Sequence, residues 1–120
     1  MTTNHPLLRV RIQQKSPDVI VASVAGELDC DSSPDLENAI TDVVATHRSA
    51  SLIMDLDQLT FCDSTGIRTL LCLWQQARQR NTRMSISRAS PSVQRVLVIT
   101  GVVSVFGLQT SASEDASSYP

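Results

Sequence analysis

The hydrophobic period of this chain switches repeatedly between two residues and about 3.6 residues, and that switching confines it to a layered α/β architecture. Leu8, Val10 and Ile12 alternate with Arg9, Arg11 and Gln13, which predicts a strand with one buried face at the edge of a sheet. After the Ser16-Pro17-Asp18 turn, Val19 to Ala25 is rich in β-branched residues and ends at Gly26, as the second strand of a hairpin would. Ser33 followed by Pro34 reads as a cap and a first-turn proline, and Asp35 and Glu37 place negative charge where a helix dipole favours it. Leu36, Ala39, Ile40, Val43 and Val44 then line one face of a helix running to about Arg48.

Leu52-Ile53-Met54, with Leu56, predicts a strand buried inside the sheet. Ile67, Leu70, Leu71, Trp74 and Ala77 return to helical spacing opposite a polar face of Arg68, Gln75, Arg78 and Gln79. Met84 and Ile86 alternate with polar neighbours as a further strand. Ser90-Pro91 repeats the cap and proline before a short helix closed by Gly101, and Val102 to Leu108 is expected to supply a last strand. The expected fold is thus a single α/β domain: an opening hairpin, then a mixed, mostly parallel β-sheet with α-helices packed on it.

A length of 120 residues with 42% hydrophobic content suits one core. We read residues 1–7 as a flexible leader, 8–109 as the domain, and 110–120 as a flexible tail too polar to repay its ordering entropy. The formal charge is -2 and the ten basic residues are scattered, so nucleic acid is not an expected partner. The apolar run Val96-Leu97-Val98-Ile99 stops at Thr100-Gly101, far short of the roughly 18 residues of a membrane span. The Met-Thr-Thr-Asn-His-Pro start lacks the order of a signal peptide, so the expected location is cytoplasmic, without membrane attachment. Cys30, Cys62 and Cys72 form no C-x-x-C pair and are expected to be reduced, Cys72 within the core; a redox role for any of them stays open. His47 suits a helix C-terminus better than a metal site, and neither metal nor cofactor is expected.

In an open α/β sheet, functional groups gather where strand ends meet helix starts. Two turns qualify: Gly26-Glu27-Leu28-Asp29, and Phe61 to Gly66. Ser64 or Thr65 is expected at or beside the start of the second long helix, where free N–H groups and the dipole accept an anion. A phosphate there adds about -1.5 to -2 charges beside Asp63 and spoils any surface that has to be desolvated. The plainer alternative is that Ser64 only caps the helix. Asp29 likewise reads either as a turn aspartate bonding its own backbone or as part of a partner surface. Trp74 suits the core, and Val98 and Ile99 suit either a wide buried face or a contact surface. The spacing of Asp63-Ser64-Thr65-Gly66 is one residue too long for an aspartic protease triplet. No base accompanies a nucleophilic serine, and no phosphate loop is present, so an enzyme is not expected.

The stretch from Ile53 to Gly66, of the form hydrophobic strand, Asp-x-Leu-x-Phe-x-Asp-Ser-Thr-Gly and amphipathic helix, resembles the anti-sigma factor antagonists built on the STAS domain, the domain shared with sulphate transporters. Gly26-Glu27-Leu28-Asp29 matches a second hallmark of that family, and Ser90 to Gly101 is similar to its third helix; the likeness spans about residues 8 to 109. The resemblance implies a regulator whose unphosphorylated form binds an anti-sigma factor serine kinase of the ATP-binding type and frees a sigma factor. Phosphorylation at Ser64, with Thr65 as fallback, switches binding off, and a phosphatase restores it. It implies a partner surface of Gly26, Glu27, Asp29, Asp63, Ser64, Thr65, Gly66 and Arg68, on a monomer or weak dimer. The chain departs from the family at Ile67-Arg68, where Gly66 is often followed by Leu-Gly, and at Cys30-Asp31-Ser32-Ser33. The alternative function is a stand-alone STAS domain that senses a nucleotide or lipid or scaffolds a signalling assembly.

Overall fold

The computed structural model describes residues 2–47 and 51–107. Strands β1 (Thr2–His5), β2 (Leu8–Ser16) and β3 (Val19–Leu28) precede helix α1 (Ser33–Thr46). Strands β4 (Ser51–Leu56) and β5 (Leu59–Cys62), helix α2 (Ser64–Gln79), strand β6 (Arg83–Ala89) and helix α3 (Pro91–Ile99) follow. The six strands form one sheet in the order β1-β2-β3-β4-β6, with β5 also paired to β3. β1, β2 and β3 run antiparallel, while β4 and β5 run parallel to β3 and β6 parallel to β4. This is the mixed α/β sheet with packed helices that the periodicity predicts.

Burial follows the two-residue period. Leu8 and Val10 of β2, Ile20, Ala22 and Val24 of β3, Leu52, Met54 and Leu56 of β4, and Met84 and Ile86 of β6 are all buried. They share one core with Leu36, Ile40 and Val43 of α1 and Leu70, Leu73 and Ala77 of α2. α1 also lies against α2. Helix ends are closed by backbone chemistry. At α3, Gly101 adopts φ +76°, its N–H donates to Val98 O (3.0 Å) and that of Val102 to Leu97 O (3.1 Å), a Schellman closure. α2 ends the same way with Asn81 at φ 60° and the Thr82 N–H on Ala77 O (2.8 Å).

Several expectations are corrected. β2 is not an edge strand, because β1 pairs along it within the stretch read as a flexible leader; backbone pairing asks nothing of side-chain hydrophobicity, so Thr2–His5 carries no apolar signal. The stretch read as a turn from Phe61 contains part of β5, which is four residues long and buries only its two ends, Leu59 and Cys62, so no alternation betrays it. No strand forms over Val102 to Gly107, where consecutive turns bury Phe106 beside β6 and set its carbonyl against the Ile86 N–H at 3.1 Å. The N-cap of α1 is Ser32 rather than Ser33. Cys72 is exposed, and Cys62 is the buried thiol, because Cys62 ends a strand under α2 while Cys72 falls on the polar face of that helix. α1 closes at Thr46 with His47 as its C-cap. Arg48, Leu108 and the tail from 110 lie outside the described residues.

Gly26 shows how tightly the sheet is locked near its functional end. Its φ is +106°, and a Cβ there would sit 2.0 Å from Leu7 O. The same Leu7 carbonyl accepts the Glu27 N–H at 2.7 Å, while the Gly26 N–H reaches Gln58 O at 3.1 Å on the other side. A side chain would break the register of three strands at once. Gly26→Ala is therefore expected to destabilise the domain by at least about 2 kcal/mol in urea unfolding.

Candidate functional site

β3 is the organising strand. β4 pairs along its first half, and β5 along Gly26 to Leu28. Because Leu28 and Cys62 are register partners, Asp29 and Asp63 leave adjacent parallel strands side by side, and α1 and α2 both begin at this end of the sheet. The two sequence motifs, 34 or more residues apart, are thus one structural unit, and its closeness is set by Gly66. A Cβ on this buried glycine would meet Cys62 Sγ at 2.8 Å, Leu28 Cγ at 2.9 Å and the Leu28 carbonyl oxygen at 3.0 Å. The Asp63 N–H meanwhile donates to Leu28 O at 3.3 Å.

Asp63, not Ser64, is the N-cap of α2. Its carboxylate accepts the Gly66 N–H at 2.9 Å from an extended backbone, and its carbonyl accepts the Ile67 N–H at 3.0 Å. Ser64 becomes the first helical residue, exposed, and among the described residues its hydroxyl makes no hydrogen bond. Thr65 is half-buried, and Arg68, one turn along, is exposed with no ion pair among the described residues. The capping role that sequence reasoning left open for Ser64 belongs to its neighbour.

Asp29 has the local role. Its Oδ1 accepts the N–H groups of Asp31 and Ser32, both at 3.0 Å, and its own N–H donates to Ser32 Oγ at 3.0 Å. Ser32 Oγ in turn donates to Glu27 O at 2.8 Å, which ties the turn to the end of β3. Glu27 is half-buried and is the register partner of Phe61. Gly26 and Gly66 serve by close approach and present no side chain.

Two features of the site are visible only in the structure: the exposure of Phe61 and the bonds of Ser90 and Ser92 to β5. Phe61 is 46% exposed beside the Asp63–Gly66 turn, an aromatic surface where solvent contact is costly. Its place on the open side of β5 becomes visible only once that strand is recognised. Ser90 and Ser92 form a clamp: Ser90 Oγ donates to Leu59 O and accepts from the Val93 N–H, and Ser92 Oγ donates to Thr60 O at 3.0 Å. The start of α3 thereby fixes the strand that delivers Asp63. The cap reading at Ser90-Pro91 was available in the sequence; the second bond to β5 was not.

Burial pushes the Cys62 thiol up to about 12, with the Asp63 charge adding to the effect. No group of three His, Cys, Asp or Glu side chains among the described residues converges to hold a metal, and no described helix is long and apolar enough to cross a membrane.

An exposed Ser64 and a half-buried Thr65 thus open a helix that a glycine wedges against the end of a neighbouring strand. The STAS domain pattern matches residues 11–116, and the chain belongs to that family. It is similar to the anti-sigma-B factor antagonist of Listeria monocytogenes, 25% identical over 107 residues that cover 89% of this chain and 93% of the relative. Among solved structures it is similar to an anti-sigma factor antagonist from Mycobacterium paratuberculosis, with a TM-score of 0.77 and 26% identity over 95% of this chain and 96% of that one. The fold also matches the anti-sigma factor antagonist SpoIIAA in its unphosphorylated form, with a TM-score of 0.71 and 19% identity over 88% of this chain and 91% of that one. It matches the phosphorylated form of the Bacillus protein with a TM-score of 0.64 and 17% identity over 92% and 99% of the two chains.

Asp63→Ala is expected to lower stability by about 1 kcal/mol, and Asp63→Asn by much less, since asparagine caps as well as aspartate; chemical denaturation separates the two. For Cys62 the native state holds its proton more tightly than the unfolded chain. Its stabilising contribution is complete below the ordinary thiol value of 9.0 and is lost as pH rises toward about 12. At neutral pH, maleimide should therefore modify Cys30 and Cys72 in the native protein and reach Cys62 only after unfolding, as read by intact mass.

Proposed function

We propose that this chain is an anti-sigma factor antagonist that works by partner switching: with Ser64 unmodified it binds an ATP-dependent anti-sigma factor serine kinase and frees a sigma factor, and phosphorylation at Ser64 releases it. The observation that carries this reading is the division of labour at the start of α2. Asp63 satisfies the helix, so the Ser64 hydroxyl is exposed and uncommitted, and its modification costs the fold no hydrogen bond. The names of the similar proteins support the same role, and SpoIIAA, whose fold this chain shares, exists in both phosphorylated and unphosphorylated forms.

Charge and hydration supply the switch. The docking surface comprises the Gly26–Asp29 and Asp63–Gly66 turns with the exposed ring of Phe61, and Arg68 faces the partner one turn beyond. Unmodified, the small hydroxyl is desolvated at little expense. A phosphate brings about -1.5 to -2 charges next to Asp63 and Asp29, repels them, and holds water that docking would have to strip away. The helix start accommodates the anion within the free domain, so the modified protein stays folded while its surface is closed. A phosphatase reopens it.

Incubation with the cognate kinase and ATP should add one phosphate to the native chain and to Thr65→Val, and none to Ser64→Ala; phosphate persisting on Ser64→Ala moves the acceptor to Thr65. Ser64→Asp should weaken kinase binding by about tenfold or more in calorimetry, and an unchanged affinity would overturn the charge mechanism.

A further inference from the structure

The face of the sheet opposite the helices carries a cationic groove whose lining includes no residue of the Gly26–Asp29 or Asp63–Gly66 turns. Its row of side chains follows from strand register: Arg11 pairs with Ser23, Ser23 with Asp55 and Asp55 with Arg88, across β2, β3, β4 and β6. Arg9 stands one pair along, opposite Ala25. The floor residues Ser23 and Ala25 are small, so a recess of about 420 Å³ lies between Arg9 and Arg11 on one bank and Arg88, Asp55 and Gln58 on the other. Ligand pockets start at about 300 Å³, so a small molecule fits.

Arg88 is on this face because of a defect in β6. The register shifts between Met54 and Asp55, so that Met54 pairs with Ile86 but Asp55 with Arg88, and Ser87 is the extra residue of a bulge. In a regular strand the alternation that buries Met84 and Ile86 would turn residue 88 inward. The bulge re-aims it outward, which is a common use of bulges beside binding sites. Asp55 then holds it: Oδ2 accepts from Arg88 Nη2 at 2.7 Å, while Oδ1 accepts the Asp57 N–H at 3.1 Å.

The charges do not balance. Both oxygens of Asp55 are engaged, the Asp57 carboxylate approaches Arg88 only at 4.0 Å, and Arg9 and Arg11 form no ion pair among the described residues. The lining therefore holds three guanidinium groups against one carboxylate, in a chain whose net charge is -2. Arginine's planar fork suits phosphate oxygens, and Arg88 keeps donors free after bonding Asp55. None of the lining residues is aromatic, so a nucleobase finds no stacking platform.

We propose that this groove binds a small soluble polyphosphate or bisphosphate, one phosphate on Arg9 and Arg11 and the other on Arg88. The site stands independently of the Ser64 switch. Titration calorimetry of the full chain with inorganic pyrophosphate should show one saturable site, weakened at least about tenfold both in the Arg9→Ala/Arg11→Ala double variant and in Arg88→Ala. Arg95→Ala, on α3, and Ser64→Ala should bind as the native chain does, whether or not Ser64 is the phosphoacceptor. Absence of saturable binding up to about 1 mM, or unchanged affinity in the Arg9/Arg11 variant, overturns the proposal. Equal affinity for sulfate overturns the two-bank geometry, and capture by phosphoinositide vesicles without binding of free pyrophosphate overturns the soluble ligand. The Arg9 and Arg11 side chains are exposed, and a native circular dichroism melt of their variant secures the reading if Arg88→Ala does not fold.

Discussion

The contact between the first turn of α2 and the end of β3 is the constraint on which the rest of the site depends. Gly66 lies so close to Leu28 and Cys62 that any side chain would intrude on them, and the Asp63 N–H is bonded to the Leu28 carbonyl oxygen. This contact brings two distant motifs together, aligns two helix starts at one end of a parallel strand pair, and lifts Ser64 clear of the core. The Ser90 and Ser92 hydroxyls add a second restraint from α3, so β5 is held on both sides although it has only four residues. A short strand with so few ladder bonds could not hold a helix start in place alone. Close packing and side-chain bonds to its carbonyls supply the rigidity that its length does not.

The long periodic elements were legible because their burial is one-sided. β2, β3, β4, α1 and α2 each bury one face, and the alternation or the helical stripe reports it directly. The parts that were not legible are those whose formation depends on neighbours. β1 is polar and exists by pairing with β2, β5 is too short to alternate, and Val102 to Phe106 is apolar enough for a strand but is broken into turns between two glycines at positive φ. At the site, the motif located the turn that starts α2 but did not divide its roles. Aspartate and serine are about equally good caps, so only the backbone geometry assigns the cap to Asp63. At Asp29 the geometry shows the local role, a carboxylate that organises the start of α1.

The two faces of the molecule follow different chemistry. At the carboxyl ends of β3 and β5, the Asp29 and Asp63 carboxylates are spent on backbone N–H groups at two helix starts, next to an exposed serine and an exposed aromatic ring. On the open sheet face, a bulge adds Arg88 to the Arg9 and Arg11 that β2 already presents, against a single, already engaged carboxylate. Gln58 lines that groove and its carbonyl oxygen accepts the Gly26 N–H, so the turn leading into β5 touches both regions.

The turns that follow α3 also decide how this sheet can meet other chains. β6 is the terminal strand at its end of the sheet, and such a strand normally offers a row of unpaired amides to any extended peptide. Here the Ile86 N–H is taken by Phe106, whose buried ring anchors the covering segment against the core. Strand addition is thereby obstructed at Ile86, in the middle of that border. A partner strand laid there would have to displace the Phe106 carbonyl before it could use the Ile86 amide.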